Sequence, residues 1–317
     1  MAKLQSTEIV GVANRPATIC SNSVCIWFDT TNTKIVYSYC GYSGAGVWSA
    51  GGAMITARYG LAGAGTQNEG LAAGGVTVTC TEEYNGTSWS VGGALITARY
   101  YLAGAGTQNT GLVAGGYNGA SLSCTEEYNG TSWSVGGALI TARYYSAGAG
   151  TQNIGLVAAG YSNAASVCTE EYNGTSWSAG GALITARGYL SGAGTQNEGF
   201  VAGGYSPTTL SCTEEYNGTS WSAGGALATA RYGSAGAGTQ NEGLVAGGYS
   251  SGIGNLSCTE EYNGTSWSAG GVLITAKHYM AGAGIQGAGL IAGGYSNAAV
   301  ACTEEYNKAL AIIDCIK

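Results

Sequence analysis

Residues 81–116 read TEEYNGTSWSVGGALITARYYLAGAGTQNTGLVAGG. Near-copies begin at Thr125, Thr169, Thr213 and Thr259; a partial copy covers 48–75, and a truncated one, Thr303–Asn307, closes the series. The tryptophans Trp48, Trp89, Trp133, Trp177, Trp221 and Trp267 step by 41, 44, 44, 44 and 46 residues. A basic residue follows each of them ten positions later: Arg58, Arg99, Arg143, Arg187, Arg231 and Lys277. A period near 44 suits a propeller blade or a long helical repeat. Composition separates the two. Glycine makes up 57 of 317 residues, and each glycine inside a helix costs about 1 kcal/mol against alanine. The glycines alternate with Val, Leu, Ile, Tyr and Trp, and only 9% of residues are charged, so the chain is not a disordered linker.

Each unit reads as four strands. In the second, strand a is at 101–107 and the pair Gln108-Asn109 turns the chain. Strand b is at 111–117, a polar loop follows at 118–121, and strand c is at 122–129. Asn129-Gly130 is a hairpin signal, because both central residues of a type I′ turn need φ above zero. Strand d is at 132–140, and 141–143 cross to the next unit. The alternating Ala-Gly-Ala-Gly of strand a suits the crowded innermost position of a propeller. An Arg and a Glu in every unit predict a repeated buried bridge, so Arg58, Arg99, Arg143, Arg187 and Arg231 are structural, as are the six tryptophans.

The set formed by the paired glycine after strand b, Glu-Glu-Tyr in strand c, Trp five residues after that Tyr, and Ala-Arg before the next strand a resembles kelch repeats over about 46–307. The resemblance implies an all-β, kelch-type propeller of four-stranded antiparallel blades forming a single domain over 1–317. Lys277 departs from the pattern and puts one local contact in doubt. Residues 55–307 carry six kelch-like units. Residues 1–54 form either a divergent blade, with strands at 6–12, 24–29, 34–40 and 47–54, or a closure segment. Residues 308–317 are the closing C-terminal strand. Length over period favours seven blades; the alternative is six, closed by a strand that Trp48 supplies.

Length varies between units in one place. The gap from the paired glycine to the following cysteine is 5 residues at Gly75–Cys80, 10 at Gly248–Cys258 and 8 elsewhere. The pair after each basic residue also varies: YG, YY, YY, GY, YG, HY. In a four-stranded blade the b–c and d–a connections leave on one face. That face is therefore the expected recognition surface, with Tyr59, Tyr100, Tyr101, Tyr117, Tyr144, Tyr145, Tyr161, Tyr189, Tyr205, Tyr232, Tyr249, His278, Tyr279 and Tyr295 as candidate ligand contacts. Tyrosine offers wide contact area with a polar tip at low entropy cost. The bland account is drift in loops that tolerate insertion.

Other classes fare worse. Net charge is −7 with 11 basic residues, spaced singly along the units rather than gathered into a nucleic-acid face. No apolar signal segment and no run of about 18 apolar residues is present, so neither secretion nor membrane insertion is expected. Cys80, Cys124, Cys168, Cys212, Cys258 and Cys302 share one slot, and equivalent positions in neighbouring blades are too distant to bridge. They are expected as buried free thiols made in a reducing compartment. Among Cys20, Cys25, Cys40 and Cys315 a 20–25 or 25–40 link stays open. No metal or cofactor is expected. One His, two Asp and no Gly-Lys-Ser/Thr leave no catalytic set, so the chain is read as non-enzymatic. The Asn-Gly-Thr sequons at Asn85, Asn129, Asn173, Asn217 and Asn263 are read as turns, not glycosylation sites.

The stretch IWFDTTNTKIVYSYC…VWSAGG, leading into near-identical units, resembles kelch-like virion proteins of tailed bacteriophages. That resemblance implies a tail- or capsid-associated protein assembled in the host cytoplasm beside other virion proteins. It would display one face to a host surface glycan or protein, and an oligomer is compatible with it. The other reading is an intracellular protein–protein interaction scaffold.

Overall fold

The computed structural model describes residues 24–29, 34–42, 44–76 and 78–315. Contacts divide the chain into two compact units, Gly46–Asn307 and the two flanks.

Gly46–Asn307 is an all-β propeller. Among the described residues it has six four-stranded antiparallel blades. In the second blade the strands are Ala103–Gly106, Gly111–Ala114, Thr125–Tyr128 and Trp133–Val135. Each first strand packs against the first strands of both neighbours, and the sequence of contacts returns to its start. The second strands of the first five blades are buried along their whole length, and that of the sixth from Gly289 on, which explains their continuous apolar run. The first strands alternate buried and half-buried residues.

The inner glycines are needed sterically. A Cβ on Gly148 would lie 2.3 Å from Gly104 O, one on Gly104 2.7 Å from Gly63 O, and one on Gly63 2.5 Å from Gly282 O. Outer strands end earlier than expected, at Val135 rather than 140. Gly136-Gly137 follows, and a Cβ on Gly137 would lie 2.2 Å from Thr175 O of the next blade. The chain therefore leaves the ladder there and tucks beneath its neighbour.

The ring holds six blades, not the seven that length over period favours. The outer strand of the sixth blade is Val47–Ala50, paired antiparallel with Thr303–Asn307, Trp48 opposite Tyr306. Trp48 explains the choice. Every outer-strand tryptophan donates its indole N–H to the threonine that opens the third strand of the preceding blade: Trp133 to Thr81, Trp177 to Thr125, Trp221 to Thr169 and Trp267 to Thr213, each at 2.9 Å. Trp48 makes the same bond to Thr259 at 2.9 Å, and Trp89 to Thr303 at 2.8 Å. The C-terminal segment has no tryptophan to offer.

Two further fasteners repeat at every junction. The tyrosine of Glu-Glu-Tyr reaches the second glutamate of the preceding blade, as in Tyr128 to Glu83 and Tyr84 to Glu305, both at 2.5 Å. The turn glutamine donates to two backbone carbonyls of the preceding blade, as in Gln108 to Gly70 at 3.1 Å and Tyr84 at 2.7 Å.

In the flanking unit Lys34–Tyr42 lies between Val24–Asp29 and Leu310–Cys315, all antiparallel. So 308–317 supplies a strand to this sheet and not the closing strand of the ring, and the strands at 24–29 and 34–42 are not part of a blade. The strand expected at 6–12, and Cys20, lie outside the described residues.

Candidate ligand-binding face

The frame beneath the face is a buried ion pair in each blade. Arg99 Nη2 lies 2.9 Å from Glu126 Oε1, Arg187 Nη2 2.6 Å from Glu214 and Lys277 Nζ 3.1 Å from Glu304. Arg58–Glu82, Arg143–Glu170 and Arg231–Glu260 pair likewise. Glu126 also accepts the amides of Ile96 and Thr97, at 2.7 and 3.2 Å. Arg99 further donates to the carbonyls of Gly115 and Cys124, at 3.0 and 2.6 Å. One charged pair thus ties the d–a crossing, the paired glycine and the third strand together.

The six repeated cysteines are free. They are not core residues: five are half-buried and Cys168 is exposed. Each sits where the b–c loop rejoins the third strand, beside the buried cation. Cys124 Sγ and Cys212 Sγ lie 2.8 Å from an Arg nitrogen, and Cys302 Sγ lies 3.0 Å from Lys277 Nζ.

Around the axis, the second residue after each basic residue adopts a left-handed backbone. Its φ is 69° at Gly60, 57° at Tyr101, 55° at Tyr145, 60° at Tyr189, 64° at Gly233 and 57° at Tyr279. This conformation costs a non-glycine residue about 1–2 kcal/mol. What it gains is a closed circuit of backbone hydrogen bonds. Tyr101 N donates to Gly60 O at 2.6 Å, Tyr145 N to Tyr101 O at 2.9 Å and Tyr189 N to Tyr145 O at 2.9 Å. Gly233 N donates to Tyr189 O at 2.7 Å, Tyr279 N to Gly233 O at 2.6 Å and Gly60 N to Tyr279 O at 2.9 Å. Every blade donates once and accepts once.

The side chains of this inner ring close one mouth of the axis. Tyr145 stacks between Tyr101 and Tyr189, with centroids 3.8 and 3.4 Å away, and Tyr279 meets Tyr101 edge-on at 5.1 Å. Gly60 and Gly233 make room for them. A Cβ on Gly60 would lie 2.8 Å from the Tyr101 ring, and one on Gly233 2.7 Å from the Tyr279 ring. The YG/YY alternation is therefore compensated packing, not free variation. A cavity of about 100 Å³ lies along the axis, lined by this ring and by Leu61, Leu102, Ser146, Leu190, Ser234 and Met280.

A second circuit surrounds the plug. Tyr100 meets Tyr117 at 5.7 Å, Tyr117 meets Tyr144 at 5.0 Å, and Tyr144 meets Tyr161 at 6.2 Å. Tyr161 meets Tyr189 at 5.4 Å, Tyr189 meets Tyr205 at 6.3 Å, and Tyr205 meets Tyr232 at 5.6 Å. Tyr232 meets Tyr249 at 5.3 Å; His278 meets both Tyr249 and Tyr295 at 5.5 Å; Tyr295 meets Tyr59 at 5.1 Å. Tyr59 and Tyr100 each contact Tyr101. The structure thus brings all fourteen residues singled out from the sequence into one aromatic network, its tyrosines half-buried. Gly188 interrupts the second ring because the Tyr161 ring occupies its side-chain space, 2.2 Å from a built Cβ.

Burial disfavours the charged forms of the inner tyrosines and of His278. It pushes Tyr101 up to about 12 and raises Tyr145, Tyr189 and Tyr279 as well. Burial pushes His278 down to about 4, and its Nδ1–H donates to Asn255 Oδ1 at 2.7 Å. At pH 7 neither Tyr101 nor His278 carries a charge. Among the described residues, no group of three or more His, Cys, Asp or Glu is placed to hold a metal ion.

No protein-family model matches the chain, and no curated protein matches it either.

The sequence did not single out Gly60, Gly188 and Gly233 as partners of tyrosines one blade away. The signal was present in the anticorrelation of Gly and Tyr at 59–60, 188–189 and 232–233, but its meaning needs the contact between blades.

Proposed function

We propose that this chain is a non-enzymatic recognition propeller of the kelch type that binds its partner through the tyrosine face. The observation that carries this reading is the continuity of the aromatic network. Fourteen half-exposed or buried rings converge on one mouth of the axis. Four of them are held there in a costly backbone conformation. Strained residues gathered at one place are a mark of a functional site. The b–c loops, where the units differ in length, flank the same network: the longest, 249–257, folds into its own hairpin, Tyr249–Ser250 against Gly254–Asn255.

The resemblance of the segment before the first unit to bacteriophage virion proteins supports a setting on a virus particle, facing a bacterial surface. The test is binding of the purified chain to bacterial envelopes, beside a variant whose b–c loops all read YSNAAS and a Tyr161→Ala/Tyr205→Ala variant. Binding by the wild type, weakened about ten-fold or more in the tyrosine variant, is expected. Equal binding by all three would move the interaction to another face and end this reading.

A further inference from the structure

We infer that the tyrosine face takes an uncharged, repeating saccharide, whose pyranose rings stack on tyrosines of successive blades. The inference rests on the reading of this face as a recognition surface and narrows its ligand.

The first observation is electrostatic. Besides His278, whose charge burial disfavours, the connections that build the face contain six basic side chains, Arg58, Arg99, Arg143, Arg187, Arg231 and Lys277, and no carboxylate. All six are at most 2% exposed, and each is committed to a glutamate below the face. The exposed turn carboxylates Glu69, Glu198 and Glu242 lie on the a–b turns, at the other end of the blades. Among the described residues of this face, a phosphate, a sulfate or an acidic sugar would meet no accessible cation, and a basic peptide no accessible carboxylate. Either would lose hydration without a counter-charge.

The second observation is chemical. A sugar ring presents an apolar C–H face bounded by hydroxyl groups. The partly exposed tyrosines offer aromatic faces and phenol hydroxyls. The adjoining loops add only neutral partners, such as Asn118, Ser162, Ser206 and Asn297. The platform is also fixed in advance. Each ring is held by its neighbours, and the backbone circuit holds the inner ones, so little side-chain entropy remains to be lost on binding.

The third is repetition. Tyr117, Tyr161, Tyr205, Tyr249 and Tyr295 occupy one position in five blades, and only the first blade differs, with Val76. A ligand built from identical units can engage several such platforms at once and gain avidity without new kinds of contact.

The experiment measures binding of the full-length chain to neutral polymers (dextran, galactomannan, soluble β-glucan). Comparators are heparin and alginate as anions and polylysine as a cation, each at 50 and 500 mM NaCl. Binding of at least one neutral polymer is expected, with less than about two-fold change between the two salt concentrations. Its short oligosaccharides should bind at least ten-fold more weakly. Tyr161→Ala/Tyr205→Ala should lose ten-fold or more while keeping the β-sheet circular dichroism of the folded chain, and Tyr→Phe at both sites, which keeps the packed rings, should lose less. Binding confined to a charged polymer, or binding that salt abolishes, overturns the inference. So does failure to bind any neutral polymer. If the chain then still binds envelopes through Tyr161 and Tyr205, the recognition reading survives and only the ligand assignment falls.

Discussion

The indole of Trp48 donates to Thr259 Oγ1 at 2.9 Å across 211 residues of sequence, and this one bond repeats, at the point of closure, what four tryptophans do inside the series. Trp48 is 5% exposed. Replacing a buried tryptophan by alanine costs about 3–5 kcal/mol, so Trp48→Ala should lower the urea midpoint markedly, with Trp133→Ala as the comparison. Removing residues 1–52 goes further. It leaves Thr303–Asn307 as an open edge, and open edges recruit other chains. The truncated protein should run as multimers in size-exclusion chromatography. A monomer with unchanged stability would show that closure does not depend on this strand.

Glu126 and Arg99 illustrate how each blade is tied to the crossing that enters it. Removing one partner of a buried pair costs about 3–5 kcal/mol because the other charge is left uncompensated. Glu126→Gln and Arg99→Met should each destabilise by amounts of that order in chemical denaturation. The double variant should cost less than their sum, since no orphan charge remains. Additive losses would mean that the two groups do not act as a pair. The sixth blade has already made a milder version of this change: Lys277 keeps the ion pair to Glu304.

Much of this architecture was legible in the sequence, and the parts that were not share a cause. Strand types, the blade period and the Arg–Glu pairing follow from patterns inside one unit. The number of blades does not, because the segment around Trp48 and the segment after Asn307 both fall where an outer strand is due. The contact that decides between them is with Thr259, in a different blade. The cysteines were misjudged for a related reason. A small residue in a fixed slot reads as core, yet this slot lies where the third strand emerges beside a buried cation. Loop variation marks in the sequence the connections that carry the tyrosine network. Its glycines were missed because Gly60 is explained only by Tyr101 of the next blade.

Gly148 and Gly252 should behave oppositely when replaced by alanine. At Gly148 the new Cβ would meet Gly104 O at 2.3 Å and Gly104 N at 2.8 Å, both backbone atoms of the neighbouring first strand. Overpacking of this kind costs about 1–3 kcal/mol or more. At Gly252 nothing lies within 4 Å and the backbone is not left-handed. Thermal melts should show a clear drop for Gly148→Ala and a change within about 0.5 kcal/mol for Gly252→Ala. Equal effects would remove close packing as the reason for glycine in the first strands.

The tyrosines also set the upper pH limit of the fold. Burial, with a glutamate hydrogen bond at the first four, pushes Tyr84, Tyr128, Tyr262 and Tyr306 up to about 12, and burial, helped by the neighbouring Tyr59, Tyr100 and Tyr189, does so for Tyr101. In the unfolded chain a phenol titrates near about 10. Below that value both states hold their protons and the full stability is present. Above it the unfolded chain gives protons up while the folded one retains them, so stability falls as pH rises from about 10 to about 12. Melting temperatures should therefore stay level to about pH 9.5 and decline beyond it. Phenolate absorbance near 295 nm should include a steep component that coincides with loss of the β-sheet circular dichroism signal. A single gradual titration of all the tyrosines near pH 10, with the fold intact, would show that these hydroxyls are not held by the structure.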